Sequence, residues 1–256
     1  MQLETMTYEK DGHVARLTLN RPHLLNAVNY RGTVELKQVA QEIYDDPDLR
    51  LVLIQGAGRA FCTGIDLKEL SAGETPSAYF NNWDEALRLL ERAEKLILCA
   101  MHGYALGGGL QLPLACDIRI AAEDCVIGLP AAAESFIPGL GTYRLPRYIG
   151  LGRAKWMVLS GENIDARRAH EFGLVDHVVK SESFSEEVEE LVRRYLALSS
   201  QGALHSKVLL STYKDLPFEE FFEEYLRRQA IVVASPDHEE AMSAYREGRN
   251  PVYPAG

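Results

Sequence analysis

The chain has 256 residues, 46% of them hydrophobic, with 27 basic and 37 acidic side chains and a formal charge of −10. That length suits one large domain, or a domain with an appendage, around a sizeable core. The acidic balance argues against nucleic acid as a partner because it repels a phosphate backbone, although a local basic patch can still hold an anion. Four cysteines (Cys62, Cys99, Cys116, Cys125) have no CxxC spacing, and three stand in apolar segments. They read as reduced core residues of a cytoplasmic protein, with neither disulfides nor metal expected. No charged-then-apolar leader and no bilayer-length apolar run is evident, so no membrane partner is expected.

In chain order, residues 3–19 alternate as two strands about Asp11-Gly12, a dipeptide favoured in two-residue hairpin turns. Asn20-Arg21-Pro22 ends the second strand. Helical periodicity over 28–43, stopped by Asp45-Asp46-Pro47, leads to the β-branched run Leu51-Val52-Leu53-Ile54. Residues 66–70 suit a short helix and 71–77 a loop. Over 80–98, Trp83, Leu87, Leu90, Ala93 and Ile97 have helical spacing and feed a strand before three glycines. A helix over 107–115 and a strand over 117–121 follow. This alternation of β and α favours a parallel sheet packed by helices. From about residue 151 the pattern becomes helical: 151–160, 166–172, 185–198, 203–214, 218–233 and 237–247. Glu186, Glu187, Glu189 and Glu190 read as a solvated helix face. Phe218, Phe221, Phe222 and Tyr225 read as packing residues.

Two stretches carry chemistry. HGYALGGGLQ (102–111) and GAGRAFCTGIDL (56–67) each follow an apolar strand-like run. Glycine lets a ligand approach the main chain, and amides at the start of a helix have no helical partner. Two such loops can aim one N–H each at a single oxygen, an oxyanion hole that stabilises charge developing on a thioester carbonyl. Glycines after strands also suit a nucleotide-binding Rossmann unit. That alternative is disfavoured because neither loop has GxGxxG with an acidic residue about 20 positions on.

The order of LTLNRPHLLNAV (17–28), LVLIQGAGRAFCTGIDLKEL (51–70), HGYALGGGLQLPLACDIRIAAEDCVIGLP (102–130), IPGLGTYRLPRYIG (137–150) and ARRAHEFGLVDHVV (166–179) resembles the enoyl-CoA hydratase/isomerase, or crotonase, superfamily. The resemblance implies an α/β protein with the crotonase (ClpP-like) spiral fold of ββα units. It places a core domain over 1–195 and a C-terminal helical trimerisation region over 196–256. It implies an acyl-CoA thioester as substrate, with coenzyme A entering as part of that substrate and no other cofactor. A homotrimer or dimer of trimers is implied as well, with the late aromatics in subunit contacts. Carried over, the two oxyanion donors are the amides of Ile65 and Gly108. Coenzyme A is expected along His23, Leu25, Thr63, Ile65, Asp66, Leu67 and Lys68, beside Gly108 and Ala131, with Lys68 or Arg21 near its phosphates. Tyr245 corresponds to an aromatic that touches coenzyme A from a neighbouring subunit. Asp66 reads more readily as bonding its own loop.

The departures bear on the reaction. Hydratases of this family hold one water between two glutamates, and the corresponding positions here are Gln111 and Ala131. Glutamine can position a water but cannot accept a proton near neutral pH, and alanine can do neither. Glu134, three residues beyond Ala131, is the expected proton-transfer group if a turn returns it to the same face. The alternative for Glu134 is an ion pair with Arg144 or Arg147. Gly139 stands near the place where some isomerases of the family carry an acid, and it has nothing to titrate. Among the histidines, His102 is expected to pack, and His170, His177, His205 and His238 lack metal-ligand spacing. An acyl-CoA hydratase/isomerase with an altered acid/base set is therefore expected. Decarboxylation, isomerisation, thioester hydrolysis or binding without catalysis are the alternatives.

Overall fold

A computed structural model of the chain describes residues 2–253; Met1 and residues 254–256, the outer ends of the two expected regions, lie outside the described residues. The chain begins with β1 (Met6–Asp11) and β2 (Val14–Leu19), antiparallel with Asp11 opposite Val14. The turn is therefore Gly12-His13, one residue beyond the expected dipeptide, because Gly12 supplies the positive φ of 56°. Helix α1 (Tyr30–Asp45) starts where the Asn29 carboxamide oxygen accepts the Gly32 N–H at 3.0 Å. Strand β3 (Leu51–Gly56) precedes α2 (Leu67–Ser71) and α3 (Ala78–Arg92). The helical spacing read across 80–98 is corrected here: α3 stops at Arg92, Ala93 is extended, and Ile97 belongs to β4 (Leu96–Met101). A buried strand and a buried helix end share apolar composition, so periodicity alone did not divide them.

Next come β5 (Tyr104–Leu106), α4 (Gly108–Leu114), β6 (Ile118–Ala122) and β7 (Val126–Gly128). They lead to α5 (Gly141–Ile149), α6 (Leu151–Ser160), β8 (Ile164–Asp165), α7 (Ala166–Glu171) and β9 (His177–Val179). The chain closes with α8 (Phe184–Leu198), α9 (Gln201–Thr212), α10 (Phe218–Val233) and α11 (Pro236–Glu247). The larger sheet has the order β1-β2-β3-β4-β6-β9, parallel from β2 onward, and a smaller sheet has the order β5-β7-β8. β4 and β5, then β6 and β7, place one strand in each sheet before the chain passes into a helix. This repeated step sets the glycine segments at the junction of the two sheets.

Alternation along the central strands divides the core. Val52, Ile54, Ile97 and Cys99 face the larger cluster with α1 and α3, whereas Leu51, Leu53, Leu98 and Ala100 meet Val188 and Val192 of α8. The last helices are fastened by charge: Lys207 on α9 meets Asp117 at 3.0 Å and the Lys95 carbonyl at 2.7 Å, and Asp237 on α11 meets Arg50 at 3.2 Å. Glu189 is not a purely solvated charge, since Arg16 of β2 pairs with it at 2.7 Å. All four cysteines are buried and free. Among the described residues, no helix is long and apolar enough to cross a membrane.

Glu35, fully buried on α1, holds the segment before β1. Its carboxylate accepts the N–H groups of Glu4 (3.0 Å) and Thr5 (2.9 Å), the Thr5 hydroxyl (2.6 Å) and Arg31 Nε (2.7 Å). Burial opposes its charge, but the bonds from Thr5, Glu4 and Arg31 outweigh that, and its pKa lies below the ordinary carboxylate value. The folded value is thus the depressed one, so this stabilisation is present above the unfolded pKa and is lost as pH falls through the folded one. Glu35→Gln is expected to cost about 1–3 kcal/mol, read by urea denaturation at neutral pH, with the difference from wild type shrinking on acidification.

Candidate active site

The two glycine loops meet backbone to backbone. The N–H groups of Phe61 and Cys62 bond the carbonyls of His102 (2.8 Å) and Tyr104 (2.9 Å), and the Leu106 N–H returns to Cys62 O at 3.0 Å. No side chain fits between the two loops at this seam. A Cβ on Gly109 would stand 2.0 Å from Cys62 O, and one on Gly64 would stand 2.9 Å from Gly108 N. On its outer side the first loop pairs with Val28, whose N–H bonds Gly64 O (2.7 Å) and whose carbonyl accepts the Asp66 N–H (2.9 Å). In a parallel pairing the residue between those two directs its own N–H to the opposite side, and that residue is Ile65. Gly107 caps α4, its carbonyl accepting from Leu110 and Gln111, so the Gly108 N–H lies in the first turn with no helical carbonyl to bond.

Ile65 and Gly108 line one cavity of about 110 Å³. Its walls are largely apolar: Leu67 and Leu70 of α2, Tyr79, Phe80 and Trp83 of α3, and Phe136, Ile137 and Pro138 from the segment before α5. The Tyr79 hydroxyl donates to Val28 O at 3.2 Å, and burial raises its pKa far above the ordinary phenol value. Thr63, Asp84, Gln111 and Glu134 add polar side chains to the lining. Asp84 Oδ1 and Gln111 Oε1 are buried without a hydrogen-bond partner among the described residues. Both face Gly139, whose Cβ, if it had one, would lie 2.8 Å from Gln111 Oε1 and 3.8 Å from Asp84 Oδ1. Burial raises the Asp84 pKa, and the Arg144 charge opposes that rise without cancelling it.

A family model described as Enoyl-CoA hydratase/isomerase matches residues 9–255. The chain belongs to the enoyl-CoA hydratase/isomerase family. It is 33% identical over 254 residues to a crotonyl-CoA hydratase of Syntrophomonas wolfei subsp. wolfei, covering 97% of each chain. It is 32% identical over 251 residues to the (E)-benzylidenesuccinyl-CoA hydratase of Thauera aromatica, covering 97% of this chain and 98% of that one. The solved structure of an enoyl-CoA hydratase from Bacillus anthracis superposes with a TM-score of 0.90 at 30% identity, over 99% of this chain and 100% of that one. The expected crotonase fold with a C-terminal helical region is therefore present.

Of the positions that the resemblance to enoyl-CoA hydratases and isomerases pointed to, Thr63, Ile65, Leu67, Gly108, Gln111, Ala131 and Glu134 line the cavity. Leu67 is 51% exposed, at the outer side. His23, Leu25, Asp66 and Lys68 do not line it. His23 and Lys68 are exposed beside the first loop, and Leu25 gives its carbonyl to the Thr63 N–H at 3.2 Å. Asp66 caps α2 through the Lys68 N–H (3.1 Å) and pairs with Arg21 at 3.0 Å, so it bonds its own neighbourhood and occupies Arg21. Tyr245, on α11, is 83% exposed and contributes nothing to the cavity of its own chain.

Glu134 reaches the cavity but is exposed, because only Pro130–Ala132 form a helical turn and the chain leaves it at Ser135 with φ 55°. The enclosed apolar setting expected for it is absent. Its alternative partners are engaged elsewhere, Arg144 with Glu91 at 3.0 Å and Arg147 with Asp215 at 3.5 Å. Asp84 was missed in the sequence. The available signal was the i, i+3, i+4, i+7 set Phe80, Trp83, Asp84 and Leu87, where a charge occupies a position the apolar stripe should hold. Among the described residues, no group of three or more His, Cys, Asp or Glu side chains is placed to hold a metal ion.

Proposed function

We propose that the protein processes acyl-CoA thioesters by enoyl-CoA hydratase/isomerase-type chemistry, with the thioester oxygen held between the amides of Ile65 and Gly108. The supporting observation is the backbone seam between the two loops, beside which neither N–H bonds a backbone carbonyl among the described residues while both residues line one cavity. Donors fixed before charge develops lower the barrier to an enolate or tetrahedral anion by about 3–4 kcal/mol each. The family's glutamate pair is replaced by Gln111 and Ala131. Gln111 then positions a water, and the proton falls to a carboxyl group on the wall, the exposed Glu134 or the partly buried Asp84.

Only the acyl end enters the cavity in this reading. The nucleotide of coenzyme A extends past Leu67 toward His23, Leu25, Asp66 and Lys68, and coenzyme A enters only as part of the substrate. The core over 1–195 carries the site. The region over 196–256 assembles a homotrimer or dimer of trimers through the exposed aromatic face of α10, bringing Tyr245 to a neighbouring subunit's coenzyme A. A cytoplasmic location accords with four free cysteines.

The test is incubation of concentrated protein with crotonyl-CoA and longer or aryl 2-enoyl-CoAs, with products read by mass spectrometry. Gain of one water, or migration of the double bond, is the expected result. Tight acyl-CoA binding with no conversion of any thioester would make the protein a binder and refute the enzyme reading.

A further inference from the structure

Two acceptor oxygens that face one buried space without a donor need hydrogen from somewhere. Gln111 Oε1 and Asp84 Oδ1 are such a pair. They come from different helices, α4 and α3, and are brought together where Gly139, with a φ of 46°, contributes no side chain. The gap is built into the fold, since a Cβ on Gly139 would lie 2.8 Å from Gln111 Oε1. A water molecule offers two hydrogens at an angle that serves two converging acceptors. Gln111 side-chain atoms also pack against Gly141, where a Cβ would stand 3.2 Å from Gln111 Cγ, so the amide is confined. Arg144, buried and bonded to Glu91, supplies a nearby positive charge.

We propose that Asp84 and Gln111 together hold the water that adds to a 2-enoyl thioester, with Asp84 as the group that carries the proton. This inference rests on the acyl-CoA reading above and assigns its acid/base residue. In the step, the water oxygen bonds C3 of the enoyl group and gives one proton to the Asp84 carboxylate. The C2=C3 electron pair moves toward C1, and the carbonyl pair moves onto the oxygen facing Ile65 and Gly108. Asp84 then returns the proton to C2 as the enolate pair re-forms the carbonyl. The product is a 3-hydroxyacyl thioester, and Asp84 ends ionised as it began. Gln111 keeps its protons throughout and acts only by holding the water. A carboxyl group that both accepts and returns a proton works best with a pKa displaced toward neutrality, the direction in which burial moves Asp84. Glu134 is exposed at the rim.

The experiment compares wild type, Asp84→Asn, Asp84→Ala and Glu134→Gln on whichever 2-enoyl-CoA the wild type hydrates, with acyl-CoA affinity measured in parallel by calorimetry. Asp84→Asn is expected to lower kcat at least about 10²-fold with the affinity for acyl-CoA kept. Glu134→Gln is expected to lose much less kcat than Asp84→Asn, and formate is expected to restore part of the activity of Asp84→Ala by refilling the place of the carboxylate. Wild-type kcat in Asp84→Asn, or the full loss appearing in Glu134→Gln instead, would overturn the Asp84 assignment and leave the acyl-CoA reading intact. A wild type that converts no enoyl thioester would overturn both.

Discussion

Gly108→Pro is expected to lower kcat/KM on an enoyl-CoA substrate by about 10²–10³-fold, the effect of deleting one oxyanion donor. The change is selective because residue 108 opens α4, where proline is tolerated and the amide makes no helical bond. Gly108→Ala separates loss of the N–H from added bulk. It keeps the N–H and adds a Cβ that would stand 3.3 Å from Gly64 Cα and 3.4 Å from Trp83 Cζ2, tight contacts that small shifts relieve. Alanine should therefore cost much less than proline. Equal losses in the two variants would attribute the effect to crowding and count against the amide. Steady-state kinetics beside circular dichroism spectra decide between these outcomes.

Gly109→Ala is expected to be the most damaging single-methyl change in the site. Its Cβ would stand 2.0 Å from Cys62 O and 2.7 Å from Cys62 C, so the obstruction is main chain and cannot rotate away. The two loops have to part, breaking the bonds from Cys62 and Leu106 that join them. A cost of about 4 kcal/mol or more belongs to this kind of overpacking, which for a chain this long lowers Tm by roughly 10 °C. Activity should fall with it even below Tm, since separation of the loops moves Ile65 relative to Gly108. Gly73→Ala is the uncrowded control, because a Cβ there would meet nothing within 4 Å and only its positive φ (72°), which Gly109 does not share, opposes the methyl. It should lose only about 1–2 kcal/mol of backbone strain. Thermal unfolding of the three proteins reads the difference directly.

How far the sequence disclosed this arrangement depends on the physics behind each signal. Long periodic elements were legible: α10 lies over Phe218–Val233 and α6 over Leu151–Ser160, as their apolar spacing required. Strands β5, β7, β8 and β9 were not, because two or three residues contain too little alternation to register a period. Helix α5 was missed for another reason. It carries Pro146 and follows Pro138-Gly139, a pattern that reads as a break in any scan for helices. Of the site, the glycine loops were visible because a glycine run after a strand implies close backbone approach, and the seam at Cys62 and Gly109 is that approach. Asp84 was the part not read. Distance along the chain singled out Glu134, which does line the cavity, and the fold also brings Asp84 to Gln111 from a helix 27 positions earlier. No local pattern encodes a meeting of α3 with α4 across Gly139, and only the mismatch of a charge within an apolar stripe hinted at it.

The central claim is that one thioester oxygen is shared by two main-chain amides. A crystal structure with a slowly reacting acyl-CoA thioester bound measures this directly. The account predicts the carbonyl oxygen about 2.7–3.1 Å from both Ile65 N and Gly108 N, with the acyl chain directed toward Gln111 and Asp84. A thioester seated with its carbonyl oxygen bonded to neither amide would contradict it.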